Sequence, residues 1–285
     1  MRLITLTAIL SVVSLSFCAQ KEAPNPTPVV PTPTTPTTPT TPPVTDTTKK
    51  LVWSDEFDKG TRPDTTKWAY NIGTGSGGWG NNEMEYYTSD STNARIENGN
   101  LVIEARVQSK GGKNYTSARM LTQGKASWTY GRFEIRAKLP KGNGTWPAIW
   151  MLGDNIGTAG WPACGEIDIM EEVGKELNVI NWSAHSKLLN WTLGTQKTYK
   201  TTVDGATDAF HVYKLDWNKD NMSFYVDDKL YYTVANDGRG TDSYPFVAPQ
   251  FLLLNLAIGG NMPGFIIDES VFPVRMEVDY VRIYQ

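Results

Sequence analysis

Four acidic residues, Glu166, Asp168, Glu171 and Glu172, lie close together in the segment WPACGEIDIMEEVG, residues 161–174. If this segment is a β-strand, Glu166 and Asp168 face the same side of the sheet, because side chains repeat with a period of two. Strict alternation would send Glu171 to the opposite side. One extra residue at positions 169–170, a β-bulge, would bring Glu171 back beside the other two, and bulges are frequent next to active sites.

Three carboxylates on one strand face could hydrolyse a glycosidic bond, which needs one ionised carboxylate and one protonated acid. We assign Glu166 as the nucleophile and Glu171 as the general acid that later becomes the base. Asp168 is expected to hold Glu166 by hydrogen bonding and to keep Glu171 protonated, since like charges raise each other's pKa. Glu172 is expected to be a solvated acid; without a bulge it would share the face of Glu166, and Glu171 would lose its role. The alternative is an acidic strand that is merely solvated.

The elements that must position these acids are predicted to be β-strands, because apolar and polar residues alternate along much of the chain from Lys50 onward. The run QFLLLNLAI is apolar almost throughout, which predicts a strand covered on both faces. With no long amphipathic helix and no internal repeat, the pattern indicates an all-β sandwich or jelly roll of antiparallel sheets. The strand-like segments are LVIEARV (101–107), YGRFEIRAKL (130–139), HVYKLDW (211–217), MSFYVDDKLYYTV (222–234, with a hairpin near Asp227-Asp228), QFLLLNLAI (250–258) and EVDYVRIYQ (277–285).

The N-terminal 49 residues differ from the rest of the chain. Residues 1–18 resemble a lipoprotein-type signal peptide that ends at Cys18, although Phe17 stands where a small residue is usual. Residues 19–49 form a Pro/Thr-rich linker that is expected to be disordered and extended. We therefore expect an acylated Cys18 and a cell-envelope location, as an outer-membrane lipoprotein facing outward. The alternative is ordinary cleavage and a free secreted protein.

Charge and cysteine content limit the possible partners. The net charge is −3, so no basic field favours nucleic acid. The chain has two cysteines, Cys18 and Cys164, and acylation of the first would leave the second without a partner, so no disulfide framework is expected. The predicted monomer would be stabilised by the core of its globular region, residues 50–285.

The segment EIDIME (166–171) matches the signature of glycoside hydrolase family 16 in its bulged form. Further segments resemble the laminarinase branch of that family, so the resemblance spans residues 51–285; they are WSDEF (53–57), GWGNNEMEYYT (78–88), YGRFEIRAKLPKGNGTWPAIWMLG (130–153), FLLLNLAIGGNMPG (251–264) and VDYVRIYQ (278–285). The resemblance implies a β-jelly roll of two antiparallel sheets with a concave substrate cleft. It also implies endo-acting, retaining hydrolysis of β-1,3-glucan, and of mixed-linkage β-1,3-1,4-glucan as a further substrate. The alternatives are a β-glucan-binding surface protein without catalysis, or a family enzyme that acts on agarose, carrageenan or xyloglucan.

The resemblance also assigns binding residues. The expected sugar contacts are Asn81, Asn82, Arg119, Trp146, Trp150, Trp161, His185 and Asn255. Trp146 and Trp150 would share one strand face, although Trp150 could instead belong to the core. His185 is expected near the acid/base, and Asn255 is either a cleft residue or a buried structural link, because its amide lies in an apolar run. Met262 departs from the pattern, since related laminarinases often have Trp there.

No cofactor is expected for catalysis, but the resemblance implies a structural calcium ion away from the cleft. The matching positions are Glu56, the carbonyl of Gly99 and Asp279, and oxygen donors of this kind suit calcium. The alternative is two ordinary surface acids.

Overall fold

The computed structural model describes residues 49–285. The predicted signal peptide, Cys18 and all but the last residue of the linker lie outside this range. Within it, no helix is long and apolar enough to cross a membrane.

The described residues form seventeen β-strands and one short α-helix. The strands are β1 Leu51–Asp55, β2 Ala69–Asn71, β3 Glu85–Tyr87, β4 Ala94–Glu97, β5 Asn100–Lys110, β6 Lys113–Ser117, β7 Arg119–Leu121, β8 Gly131–Lys138, β9 Thr145–Gly153, β10 Glu166–Glu172, β11 Val179–His185, β12 Lys197–Thr202, β13 His211–Trp217, β14 Asn221–Val226, β15 Lys229–Ala235, β16 Gln250–Ile258 and β17 Val274–Tyr284. The helix, α1, spans Ile156–Ala159, and single 3-10 turns cover Trp191–Leu193 and Glu269–Val271. Gly78–Asn82 forms a tight turn in which Trp79 and Gly80 have positive φ.

The strands form two sheets, as the predicted all-β sandwich requires. One sheet has the order β15-β14-β13-β8-β17-β5-β6-β3, with β1 beside β17 and β4 beside β5. The other has the order β12-β11-β10-β9-β16-β7-β2. The pairings are antiparallel except for β3 with β6. The acidic strand β10 lies near the middle of the seven-stranded sheet, where both neighbours fix its register.

The core confirms most of the predicted alternation. On β8, Phe133, Ile135 and Ala137 are fully buried, and the residues between them are partly exposed. All nine residues of β16 are buried, as its apolar run predicts. The prediction for LVIEARV was wrong at its end, because Val107 is 50% exposed where β5 continues past the buried part of the strand.

The predicted hairpin near Asp227 is confirmed between β14 and β15. Asp227 adopts a left-handed backbone conformation, with φ of 53°. Asp and Asn tolerate this conformation better than most residues, because their short polar side chains bond locally.

Candidate active site

A β-bulge in β10 confirms the geometric prediction on which the acidic constellation depends. Five residue steps from Glu166 to Glu171 face four steps on each neighbouring strand, from Leu152 to Ala148 on β9 and from His185 to Asn181 on β11. The extra residue lies between Asp168 and Glu171, where both ladders shift register. Ile169 and Met170 are both fully buried in the core. Glu171 therefore returns to the outer face of the sheet, with Glu166 and Asp168.

These three acids line a cleft of about 890 Å³ on the outer face of the seven-stranded sheet. Ten of the eleven predicted catalytic and sugar-binding residues line this cleft, eight of them on five strands and two, Trp161 and Asn81, outside the strands. The lining residues among the predictions are Asn81, Arg119, Trp146, Trp150, Trp161, Glu166, Asp168, Glu171, His185 and Asn255. The even spacing of Trp146 and Trp150 puts both on the cleft side of β9, as predicted.

Each glutamate accepts a hydrogen bond from one indole. Trp161 Nε1 donates to Oε2 of Glu166 at 2.9 Å, and Trp146 Nε1 donates to Oε1 of Glu171 at 3.0 Å. An indole N–H donates and cannot accept, so both bonds favour the ionised carboxylate. The two rings therefore fix each carboxyl group in place and leave one oxygen of each free of that bond.

His185 lies beside Glu166 and Asp168. It lies opposite Glu166 in the ladder, and its Nε2 is 3.7 Å from Oε1 of Glu166 and 3.2 Å from Oδ2 of Asp168. The sequence placed His185 near Glu171, the expected acid/base; the structure places it beside the expected nucleophile. Within residues 49–285, Oδ2 of Asp168 makes no hydrogen bond. No hydrogen bond joins Asp168 to Glu166 in the described part of the chain, so the prediction that Asp168 holds Glu166 by such a bond was wrong, and Asp168 acts on Glu166 through its charge.

Burial dominates the protonation of all three acids. It raises the pKa of Glu166, Asp168 and Glu171 to about 8 each, and the negative charge of Asp168 adds to the rise for both glutamates. Charge on His185 and the indole bonds act in the opposite direction on the glutamates. Because the three groups repel one another, their protons leave in coupled steps, and the apparent pKa values belong to the three acids together.

Glu172 corrects a prediction, because it is a buried residue and not a solvated acid. It points to the inner side of β10, is fully buried, and its Oε1 accepts a hydrogen bond from the backbone N–H of Asn178 at 2.6 Å. Burial raises its pKa to about 8. The bulge explains the placement, since bringing Glu171 to the cleft necessarily turns its neighbour inward.

Asn255 is both a cleft residue and a buried link. Its Oδ1 accepts from Trp150 Nε1 at 2.7 Å, and its Nδ2 donates to the Tyr87 hydroxyl at 3.2 Å. The Tyr87 hydroxyl donates to Oε2 of Glu83 at 2.8 Å, and Asn81 Nδ2 donates to the other oxygen of Glu83 at 3.3 Å. This chain of bonds ties the cleft wall at Trp150 to the Gly-rich loop.

Arg119 is sandwiched between two tryptophans. Its guanidinium carbon lies 4.6 Å from the ring centroid of Trp79 and 4.7 Å from that of Trp150. Arg119 is only 8% exposed, and its Nε has no hydrogen-bond partner in the described part of the chain. The planar guanidinium therefore holds the Trp79 ring against the sheet, in addition to lining the cleft.

Asn82 is the predicted sugar contact that does not line the cleft. It is exposed, and its Nδ2 donates to Oδ1 of Asn261 at 2.9 Å. Asn261 and Met262 do line the cleft. Asn82 thus positions a neighbouring loop; the turn around it leaves its side chain pointing away from the acids.

Sequence reasoning missed several residues that line the cleft. Trp79 lies in the same Gly-rich loop as the predicted sugar contact Asn81. An aromatic residue among glycines in this loop could have indicated a further cleft residue. Trp191 lies in the β11–β12 loop, where no periodicity applies. Further polar residues line the cleft on the side of β10 away from the tryptophans of β9: Asn181 and Ser183 on β11, Thr198 and Lys200 on β12, and Gln196 in the loop between these strands.

The strand register puts the predicted calcium positions near one another beside β17, within the ten-stranded sheet. β1 and β5 follow each other along the same edge of β17, with Asp55 opposite Val281 and Leu101 opposite Val278. Asp279 therefore lies at the gap between the end of β1, where Glu56 follows, and the turn that contains Gly99. Both carboxylates are paired with arginines, Glu56 with Arg282 at 2.8 Å and Asp279 with Arg136. Oxygen donors are present, but a cation would have to compete with both guanidinium groups.

Comparison with known proteins identifies the family. The model of glycosyl hydrolases family 16 matches residues 80–282. The β-glucanase of Rhodothermus marinus is 49% identical over 246 residues, which cover 83% of this chain and 85% of that protein. The crystal structure of the laminarinase from Rhodothermus marinus superposes with a TM-score of 0.80 at 48% identity and covers 83% of this chain and 97% of that chain. A mutant of SCLam, a non-specific endo-β-1,3(4)-glucanase crystallised with an oligosaccharide at its active site, gives a TM-score of 0.81 at 45% identity over 86% of this chain and 98% of that one. The fold, the cleft and these similarities agree, and the chain belongs to glycoside hydrolase family 16.

Proposed function

We propose that this protein is an endo-acting, retaining β-glucan hydrolase that cleaves laminarin-type β-1,3-glucan and also mixed-linkage β-1,3-1,4-glucan. The observation that carries the proposal is the bulge in β10, which brings Glu166, Asp168 and Glu171 to one cleft. The named activities of the similar β-glucanase, laminarinase and endo-β-1,3(4)-glucanase support the substrate class.

The mechanism follows from the unequal surroundings of the two glutamates. Glu166 is ionised beside His185 and attacks the anomeric carbon, while Glu171 donates its proton to the departing glycosidic oxygen. The anomeric carbon is then bonded to Glu166 as a glycosyl ester. Glu171, now ionised, takes a proton from water, which attacks the same carbon and releases Glu166. Asp168 contributes negative charge that disfavours early ionisation of Glu171.

Chemical rescue tests the two roles separately. Glu166→Gly should lower turnover of an activated aryl β-glucoside oligomer roughly 10³-fold or more, and azide should restore it by giving the inverted α-glycosyl azide. Glu171→Ala should retain attack on activated substrates, which need no acid, and azide should give the retained β-glycosyl azide. NMR of the azide product reads the configuration. Exchanged product configurations would reverse the roles, and wild-type turnover in Glu166→Gln would end the assignment.

Product analysis tests the substrate class. Wild-type protein should shorten laminarin and barley glucan to oligosaccharides, with an early fall in viscosity that marks internal cleavage. Agarose, carrageenan and xyloglucan serve as the comparison polymers. Release of oligosaccharides from one of these, with laminarin intact, would replace the proposed substrate. Binding of laminarin without any cleavage would favour the β-glucan-binding surface protein instead.

We also propose that Cys18 is acylated and holds the enzyme at the outer face of the cell envelope. The support is the sequence LSFC after an apolar run and the Pro/Thr-rich segment that follows it. Such a segment can reach about 3.1 Å per residue, which would carry the catalytic domain away from a lipid surface. Cys18→Ser should remove labelling by a fatty-acid analogue and move the protein from the membrane fraction to the soluble fraction. Equal labelling of both proteins would contradict the anchor.

A structural calcium ion is a further proposal, at Glu56, the Gly99 carbonyl and Asp279. Its support is that the strand register brings these three positions together, and that two carboxylates and a carbonyl are the donors calcium prefers. The ion would displace Arg282 and Arg136 from the two carboxylates. It has no part in the mechanism above.

A further inference from the structure

The loop between β11 and β12, residues 186–196, buries the polar residues Ser186 and Asn190 and exposes three large apolar residues. Asn190 is only 2% exposed, whereas Leu188, Trp191 and Leu193 are 43%, 45% and 59% exposed. Exposing an indole ring and two leucines to water is unfavourable, because apolar surface gains free energy when it is buried. The exposure of these three side chains therefore does not stabilise the loop, which suggests that they have another role.

Asn190 supplies the internal framework that makes this arrangement possible. Its Nδ2 donates to the backbone carbonyls of Ser186 and Lys187, at 3.1 and 3.2 Å. Its Oδ1 accepts from the Thr192 hydroxyl and the Leu193 N–H, at 2.5 and 3.3 Å. The loop is thus closed by hydrogen bonds of a side chain that is not aromatic, and it does not need the Trp191 ring for its own conformation.

The Trp191 ring faces the cleft and extends a row of aromatic groups that begins at the nucleophile. Trp161 donates to Glu166, and the ring centroids of Trp161 and Trp191 are 6.1 Å apart with 39° between their planes. Gln196 and Thr198, which line the same end of the cleft, add side chains that hydrogen-bond to hydroxyl groups. An exposed ring with polar groups around it is the composition of a site for a ring with one apolar face and several hydroxyls.

We infer that Trp191 forms a sugar-binding subsite next to the one at Trp161, and that this subsite sets how long a β-glucan chain the enzyme holds. The inference rests on the proposed β-glucan hydrolase function. A glucosyl unit stacked on the Trp191 ring covers the surface that the loop leaves in water. Leu193 is more exposed than Trp191 but takes no part, because Trp191 is the one of the loop's three exposed apolar residues that lines the cleft.

The test is binding of β-1,3-linked glucose oligomers of two to seven units to Glu166→Gln protein, measured by calorimetry. In this parent the affinity should rise with chain length until a unit occupies the Trp191 ring. Trp191→Ala in the same background should lower the affinity of the longer oligomers about tenfold and end the rise at a shorter chain. Trp191→Phe should keep most of the affinity. Leu193→Ala is the matched control from the same loop and should bind every oligomer like the parent.

The outcomes separate the two proposals. If the parent binds the oligomers and Trp191→Ala gives the same affinities as Leu193→Ala at every length, the subsite at Trp191 is wrong and the hydrolase proposal stands. If the parent binds no oligomer and the wild type cuts no β-glucan, the hydrolase proposal fails and the subsite fails with it. Melting temperatures of all variants establish that each one is folded, and a general loss of affinity at every length in Trp191→Ala would also contradict a separate subsite.

Discussion

The indole N–H of Trp161 lies 2.9 Å from Oε2 of Glu166, so a ring of the cleft wall also stabilises the ionised form of the expected nucleophile. Trp146 makes the equivalent bond to Glu171 at 3.0 Å. Two tryptophans from different parts of the chain should thus affect activity at different ends of the pH range, Trp161 through Glu166 and Trp146 through Glu171.

Replacing each indole by a phenyl ring should move one limb at a time. Trp161→Phe removes a bond that lowers the pKa of Glu166, so that pKa rises and the acid limb of kcat/KM moves up by about one pH unit. Trp146→Phe removes the corresponding bond to Glu171, so its pKa rises and the basic limb moves to higher pH. The measurement is the pH profile of both variants on one β-glucan oligomer. An acid limb that stays in place in Trp161→Phe would contradict this account, although the two apparent pKa values belong to the coupled pair.

Arg119 should act through its planar shape as much as through its charge. Arg119→Lys keeps the charge but cannot stack between Trp79 and Trp150, so Trp79 loses its support. We expect KM for β-glucan to rise about tenfold with a smaller change in kcat. Asn82→Ala is a useful comparison, because it loosens the same region without touching the stack. A kcat loss without a change in KM would indicate a direct role in the reaction instead.

Glu172 should make the protein less stable as the pH rises. Burial raises its folded pKa to about 8, above the usual value near 4.5, so folding favours the protonated form. The stability that the protonated form contributes to the fold is fully present below about pH 4.5 and is lost as the pH rises through about 8. Glu172→Gln keeps an oxygen for the N–H of Asn178 and cannot ionise. It should therefore add on the order of 2 kcal/mol to the free energy of unfolding at pH 9 relative to the wild type, and little at pH 4. Thermal unfolding at both pH values checks this, and an equal effect at both would refute it.

A calcium ion at Glu56 and Asp279 would make the melting temperature depend on the metal. A chelator should lower the melting temperature of the wild type, and added calcium should restore it. Glu56→Gln should abolish this response, whereas Glu134→Gln, which changes an acid on the neighbouring strand β8, should keep it. A melting temperature that ignores the chelator would leave Glu56 and Asp279 as partners of Arg282 and Arg136 only.

The alternation of apolar and polar residues predicted several strands correctly, but it gave no information on side-chain directions in the loops. Alternation located β8 and the hairpin at Asp227, and the spacing of three acids was enough to require a bulge between Asp168 and Glu171. The same reasoning treated Glu172 as solvated because of its charge, although the inner face of a central strand has only the core to meet. Asn82 and Trp191 lie in loops, where side-chain direction depends on local hydrogen bonds such as those of Asn190 and cannot be counted from spacing.

Because of the bulge in β10, the catalytic geometry should tolerate the deletion of one residue from this strand better than the insertion of one. Without Met170, regular alternation from Glu166 would still present the residue now numbered 171 to the cleft, four steps away, matching the four steps on β9 and β11. One more residue would make six steps: with the single bulge kept, Glu171 would turn inward, and without a bulge it would face the cleft two residues out of register with β9 and β11. Residual turnover should therefore survive removal of Met170 far better than insertion of an alanine after it.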